Sequence, residues 1–354
     1  MLKSKIIGTG AHIPSRKISN EYFLNHTFFG PDQIAIEQSA ETIIRKFKAI
    51  TGIENRWYAP EGMTASEMGT LAAEEAIANA QVERESIDFI IVAHNYGDMK
   101  YPGAPRDMVP SLAARIKHNL KIKNVNCIPY DIIFGCPGWL QGLIQADMAI
   151  KSGAAKTCLV IGTETLSRVL DSTDRDSMIF SDGAGACIIQ SNVSDDSGII
   201  NKILRSDTDI ELEYIYSFGT NQGDETEPRY IKMKGRKVYE YALKYVPQSM
   251  KECLDHSGES IDDLKMIFLH QANEKMDEAI VKRFYELYGR KELPENIMPM
   301  NISEMGNNSV ATIPTLLHQV LNGEISSYKL APGDLVMFAS VGAGMNINAI
   351  TYRW

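Results

Sequence analysis

The chain has 354 residues, 44% of them apolar and 23% charged, values of an ordinary folded protein that exclude extensive disorder and leave room for about two domains. Lys and Arg total 36 against 45 Asp and Glu, a net charge of −9, which argues against nucleic acid as the main partner because phosphate contact needs a basic surface. No apolar run approaches the ~20 residues of a membrane span, so no membrane association is expected.

The opening MLKSKIIGTG has too short an apolar stretch for a secretory leader. The five cysteines, Cys127, Cys136, Cys158, Cys187 and Cys253, show neither CxxC spacing nor pairing with histidines. Neither a disulfide framework nor a metal site is expected, and the reducing cytoplasm is the expected compartment.

Along the chain, a helix is predicted over residues 64–80, with Thr64 and Glu67 spaced as a capping box. Ile87–Ala93 (IDFIIVA) reads as a strand covered on both faces. Tyr130–Phe134 reads as a strand running into a tight turn and then a helix over Gly138–Ser152. Further strands are predicted at Thr157–Gly162, Ala186–Gln190, Met266–Leu269 and Leu335–Ser340. Further helices are predicted at Val238–His256, Glu274–Tyr288 and Ile313–Asn322. Alternating strands and helices imply an α/β chain. Ser86-Ile87-Asp88 followed by FIIVAHN has a counterpart in Ser260-Ile261-Asp262 followed by LKMIFLHQAN, which points to two related halves. The polar loop Tyr216–Pro228 is the candidate boundary between them.

Cys136 lies in a strand–turn–helix setting. Gly135 allows a tight turn, and Pro137 suits a first helical position. The positive end of the helix dipole is expected to favour a thiolate there, the species that attacks a carbonyl. The other four cysteines lack this setting and read as buried apolar residues. His270 ends an apolar strand, where α/β proteins place their sites. His12, His26, His94, His118, His256 and His318 read as structural, although His94 occupies the same slot in the first half of the repeat. Asn307, in GNNSVAT, by itself reads as a cap or turn residue. Gly342-Ala343-Gly344 could bring backbone N–H groups close to a ligand. A Cys/His/Asn set also fits thiol proteases, but a duplicated α/β chain is the wrong context for the papain-like pattern.

Taken together, KIIGTGAHIP, ITGIENRW, FGCPGW, KSGAAKTCLVIGTETLSR, DRDSMIFSDGAGA, MKGRKVYEYAL, LHQAN, GNNSVAT and SVGAG resemble, in order and spacing, the β-ketoacyl-[acyl carrier protein] synthase III condensing enzymes. The resemblance implies a thiolase-like α/β fold of two duplicated halves, each with a five-stranded mixed sheet, in αβαβα layers. The halves are expected at residues 1–195 and 225–354, joined by 196–224. It also implies a homodimer, acyl carrier protein as partner, acyl and malonyl thioesters as substrates, and no cofactor. Residue by residue, Cys136 resembles the acyl-accepting nucleophile, and His270 and Asn307 the pair that bonds the extender carbonyl. The N–H groups of Cys136 and Ala343 resemble the oxyanion hole. Lys275, Lys282 and Arg283, on one predicted helical face, resemble the carrier-docking region. Arg175 resembles a residue that stacks on the adenine of coenzyme A.

Some positions depart from the family pattern. Residues 45–50 lack the Trp and Arg that sandwich adenine, so a carrier-bound or longer acyl donor is favoured over acetyl-coenzyme A. The segment 95–110 is longer than the family norm. Val109 stands where many members place an aromatic residue that shapes the partner subunit's acyl pocket. Two alternatives follow: a related synthase joining two acyl chains, as in dialkylresorcinol or cyclohexanedione precursors, and a non-catalytic scaffold of the same fold. 3-Hydroxy-3-methylglutaryl-coenzyme A synthase fits less well, because residues 86–135 contain no Glu for its upstream base.

Overall fold

A computed structural model describes residues 2–30, 32–222 and 229–354. The first half runs β1 (Lys3–His12), β2 (Arg16–Ser19), α1 (Ala40–Thr51), β3 (Asn55–Tyr58), α2 (Ala65–Ala80) and β4 (Phe89–Ala93). It continues with α3 (Leu112–Asn119), β5 (Ile128–Ile132), α4 (Gly138–Lys151), β6 (Thr157–Thr165) and β7 (Asp182–Asn192). The second half begins at β8 (Gly198–Ser206), then β9 (Ile215–Phe218), β10 (Tyr230–Met233), α5 (Gly235–Ser257) and β11 (Leu264–Leu269). It ends with α6 (Glu274–Glu286), α7 (Ile302–Met305), α8 (Thr312–Leu321), β12 (Leu335–Gly342) and β13 (Asn346–Arg353).

One sheet has the order β1-β7-β6-β4-β5 and the other β11-β12-β13-β8. Their pairings match: β4 and β6 are parallel as are β11 and β12, while β7 and β13 run antiparallel to their neighbours. The repeat visible in the sequence is thus the repeat of the fold, with β4 answering β11 and α4 answering α8. The layering follows from which faces are apolar. Trp139, Leu140 and Leu143 of α4 and Leu316, Leu317 and Val320 of α8 share one buried cluster with Val160 of the first sheet and Phe268 and Phe338 of the second. Helices α2 and α3 cover the outer face of the first sheet, and α5 and α6 that of the second. The result is five layers, αβαβα, with α4 and α8 in the buried middle layer between the two sheets.

Two expectations need adjustment. The segment 196–224, expected as a connection, contains β8, an edge strand of the second sheet; the expected boundary at 224/225 lies outside the described residues. The second sheet carries four strands among the described residues. Where a fifth would run beside β11, Ile297 O accepts the Ile267 N–H at 2.7 Å and Pro299 O accepts from Gln271 Nε2 at 2.8 Å. Pro299 has no N–H to extend that ladder.

The halves are tied by a buried carboxylate. Asp147 on α4 is fully buried and accepts from Ser4 Oγ of β1 at 2.9 Å and from Lys202 of β8, with Lys151 one turn along its own helix. Asp147→Ala removes the buried carboxylate that two partly exposed lysines and Ser4 share. It should lower stability by about 1–2 kcal/mol, read as a shift in the urea midpoint at constant slope.

Candidate active site

The carboxyl ends of β5, β11 and β12 and the start of α8 converge where the sheets meet, the place an α/β chain offers to a ligand. Cys136 follows β5 after a turn in which Gly135 has φ +66°, and Pro137 stands at the residue just before α4. His270 follows β11 directly, with its N–H on Ala339 O at 2.9 Å. Asn307 crosses between the halves: its N–H bonds Ile179 O at 2.9 Å, and its carbonyl accepts from Ser181 N at 2.8 Å. Ala343 follows β12.

Two glycines bring the Cys136 and Ala343 loops together. A Cβ at Gly135 would stand 2.6 Å from Ala343 N, and one at Gly342 would stand 2.4 Å from Cys136 N. Any side chain at either position drives apart the two N–H groups expected to form the oxyanion hole. Gly342→Ala should therefore cut turnover about a hundredfold or more in a folded protein, as checked by steady-state rates beside near-ultraviolet circular dichroism.

The electrostatics of the site differ from the expectation of a ready thiolate. Cys136 keeps part of its surface open to the cavity, but burial pushes its thiol up to about 11, against a smaller pull downward from the Ser309 hydroxyl. A helix dipole is a modest effect, and removal of water from a thiolate outweighs it here. Burial also pushes His270 down to about 4, so its imidazole is neutral at physiological pH, and its Nδ1 has no hydrogen-bond partner among the described residues. Asn307 Oδ1 accepts the Ser309 N–H at 2.8 Å. That fixes the amide and leaves Nδ2, a donor, without a protein partner among the described residues.

His94 shows what a structural histidine in the equivalent slot looks like. Its Nδ1 accepts the Gly97 N–H at 3.1 Å, and its Nε2 faces Asp131 Oδ2 at 3.0 Å. Asp131 in turn caps α3 through the N–H groups of Leu112 and Ala113. Both ring nitrogens are occupied, unlike those of His270.

Cys136, His270, Asn307 and Ala343 all line one cavity of about 820 Å³. Apolar walls come from Phe47, Ile133, Ile179, Phe180, Ile231 and Met233. Lys46, Arg106, Arg175 and Arg236 add positive charge to the lining, where Asp176 is the one acidic residue among those described. Arg175 lines the cavity, and the stretch 45–50 that departs from the family pattern also faces it through Lys46, Phe47 and Ile50. Lys275, Lys282 and Arg283 are exposed on α6, outside the lining. Val109 is 87% exposed and lies off this chain's cavity. The long 95–110 segment is pinned by paired backbone bonds between Asp98 and Asp107 and by Arg115, which reaches both carboxylates. It delivers Arg106 over the Tyr96 ring at 4.9 Å.

Sequence reasoning missed three residues at the site. Ser309 Oγ lies 3.4 Å from Cys136 Sγ, Asn95 bonds the Gly135 N–H at 3.1 Å, and buried Glu164 contacts Asn95. The available signals were their places within motifs already marked: Ser309 in GNNSVAT, Asn95 at the end of the first repeat copy, Glu164 in the strand after the cysteine helix.

The profiles of 3-oxoacyl-[acyl-carrier-protein] synthase III match residues 130–208, and those of its C-terminal part match 254–354. A β-ketoacyl-[acyl-carrier-protein] synthase III of Ehrlichia canis is 33% identical over 98% of this chain and 97% of its own length. One from Paracoccus denitrificans is 30% identical over the full length of both. The chain belongs to the β-ketoacyl-[acyl carrier protein] synthase III family. The crystal structure of the synthase III from Aquifex aeolicus superposes with a TM-score of 0.80 at 30% identity, covering 99% of this chain and all of that one. As a synthase III of the thiolase fold, the chain is a condensing acyltransferase of fatty acid biosynthesis. No helix among its described residues is long and apolar enough to cross a membrane.

Proposed function

We propose that the chain condenses an acyl thioester with malonyl-acyl carrier protein through an acyl-Cys136 intermediate, with decarboxylation. The observation that carries this reading is the convergence of Cys136, His270, Asn307 and the Ala343 loop on one cavity. In the first half-reaction the Cys136 sulfur attacks the acyl carbonyl. The carbonyl oxygen gathers negative charge between the N–H groups of Cys136 and Ala343. The carbon–sulfur bond of the donor breaks, and the thiol proton of Cys136 leaves with the departing thiol. In the second, the malonyl carbon–carboxylate bond breaks and CO2 departs. The electron pair becomes an enolate whose oxygen is held by His270 and Asn307 Nδ2. The enolate carbon attacks acyl-Cys136, and collapse frees the 3-oxoacyl product and expels the Cys136 sulfur as a thiolate, which takes one proton from solvent to restore the thiol.

The first half would then supply the nucleophile and the second half the histidine and asparagine. Lys275, Lys282 and Arg283, exposed on α6, form the surface for an acidic carrier, and Lys46, Arg175 and Arg236 the lining for its phosphate-bearing arm. The open edge of β5, with Ile128 48% and Ile133 61% exposed, supports a homodimer, in which Val109 would reach the partner's pocket. The soluble cytoplasm remains the proposed compartment. Purified protein mixed with malonyl carrier protein and a panel of acyl donors should yield 3-oxoacyl carrier protein by mass spectrometry; no carbon–carbon product from any donor overturns the reading. Arg175→Ala should raise KM for the thioester about tenfold with little change in kcat, the pattern of a lost binding contact.

A further inference from the structure

We propose that Glu164, Asn95 and Ser309 are positioning residues that hold the Cys136 sulfur as a hydrogen-bond acceptor and set how readily it ionises. The proposal rests on the reading of Cys136 as nucleophile, but its test needs neither a thioester nor a condensation.

The four side chains form one line. Ser309 Oγ donates to Cys136 Sγ at 3.4 Å. A hydroxyl that gives its single hydrogen to sulfur keeps its lone pairs free to accept, and Asn95 Nδ2 stands 3.2 Å from Ser309 Oγ. The other hydrogen of that amide faces Glu164 Oε1. Asn95 Oδ1 accepts the N–H of Gly135, the residue before the nucleophile, at 3.1 Å. The amide therefore cannot turn over without losing contacts at both ends, and its orientation aims the Ser309 hydrogen at sulfur.

Two observations favour a role in reactivity over mere packing. Ser309 has φ +53°, a left-handed backbone that costs energy for a residue other than glycine. Glu164 is 1% exposed and has no cation in ion-pair range among the described residues. A carboxyl buried without a cation is expensive, and the end of its hydrogen-bonded line is the nucleophile.

The two ends act with opposite signs. The Ser309 hydrogen bond favours a thiolate, whereas a negative Glu164 disfavours one, and burial holds Glu164 up at about 8. The other ionisable groups around this line are Tyr96 with Arg106 stacked on it, Asp182 on β7 beside Glu164, and His270 across the cavity. None of these changes in the variants below.

The test is alkylation of the full-length protein by iodoacetamide from about pH 6 to about pH 10, followed by intact mass, with Cys136→Ala identifying the signal. Ser309→Ala should move the rate profile to higher pH and slow alkylation about tenfold at a fixed pH. Ser309→Gly should do the same; glycine suits the left-handed backbone, so it carries the test should the alanine variant fold poorly. Glu164→Gln keeps an acceptor for Asn95 but removes the charge that the native carboxyl carries above about pH 8, and should move the upper part of the profile to lower pH and speed alkylation several-fold there. Folded variants that retain the wild-type profile, or serine and glutamate variants that shift in the same direction, overturn the proposal. Opposed shifts in a protein that no thioester acylates would leave this proposal standing and sink only the reading of Cys136 as acyl acceptor.

Discussion

Cys136→Ala is expected to abolish the acyl-enzyme and to lower overall condensation by about four orders of magnitude or more. The other cysteines offer no substitute. Cys127, Cys158, Cys187 and Cys253 are buried, and none of them lines the cavity that Cys136 opens onto. Intact mass after exposure to acyl thioesters should show one acyl group on the wild type and none on the variant. The variant should still release CO2 from malonyl carrier protein, because His270 and Asn307 do not depend on the sulfur for their place: His270 hangs on β11 through Ala339 O, and Asn307 on Ile179 and Ser181. Decarboxylation without acylation is the pattern of a site missing only its nucleophile. A wild type that takes no acyl group from any donor would instead favour a non-catalytic scaffold of this fold.

Much of this site was legible because its chemistry sits at ends of strongly patterned elements. Cys136 is preceded by an apolar strand and followed by Pro137 and Gly138, and His270 ends a run of four apolar residues. Strands with polar residues were harder to read. In β8 the apolar run is broken by Asn201, Lys202 and Arg205, which made the segment look like a connection. Each of them is used: Asn201 bonds Cys253 O, Lys202 meets Asp147, and Arg205 stacks on Tyr245 at 4.1 Å. Such tertiary partners leave no periodic trace. The same holds for Glu164 and Asn95, polar side chains whose meaning lies in each other and in Ser309, 214 positions beyond Asn95. The thiolate expectation meets the burial of the Cys136 sulfur for a related reason. A local feature, the helix start, was visible in the sequence, whereas the depth of the pocket around it arises only when two halves of the chain close on each other.

His270→Ala and Asn307→Ala should separate the half-reactions in the opposite sense to Cys136→Ala. On the proposed mechanism each removes one donor to the enolate oxygen in a buried site, so each should slow decarboxylation and condensation about a hundredfold to a thousandfold. Acylation of Cys136 should persist, since in the proposed mechanism its oxyanion rests on backbone N–H groups. The pH dependence follows from the same burial. His270 is pushed down to about 4, so above that pH the imidazole is already neutral, and its loss of a proton cannot shape the rate near 6.5. Single-turnover condensation from preformed acyl-enzyme should therefore be flat between about pH 6 and about pH 8. The Cys136 thiol is pushed up to about 11, so over the same range it is protonated and its thiolate fraction rises about tenfold per pH unit. Acylation measured alone should climb with pH while condensation does not. A condensation step that falls as pH rises through about 6.5, and loses that dependence in His270→Ala, would mean that the histidine works as a cation and that its burial does not control its charge.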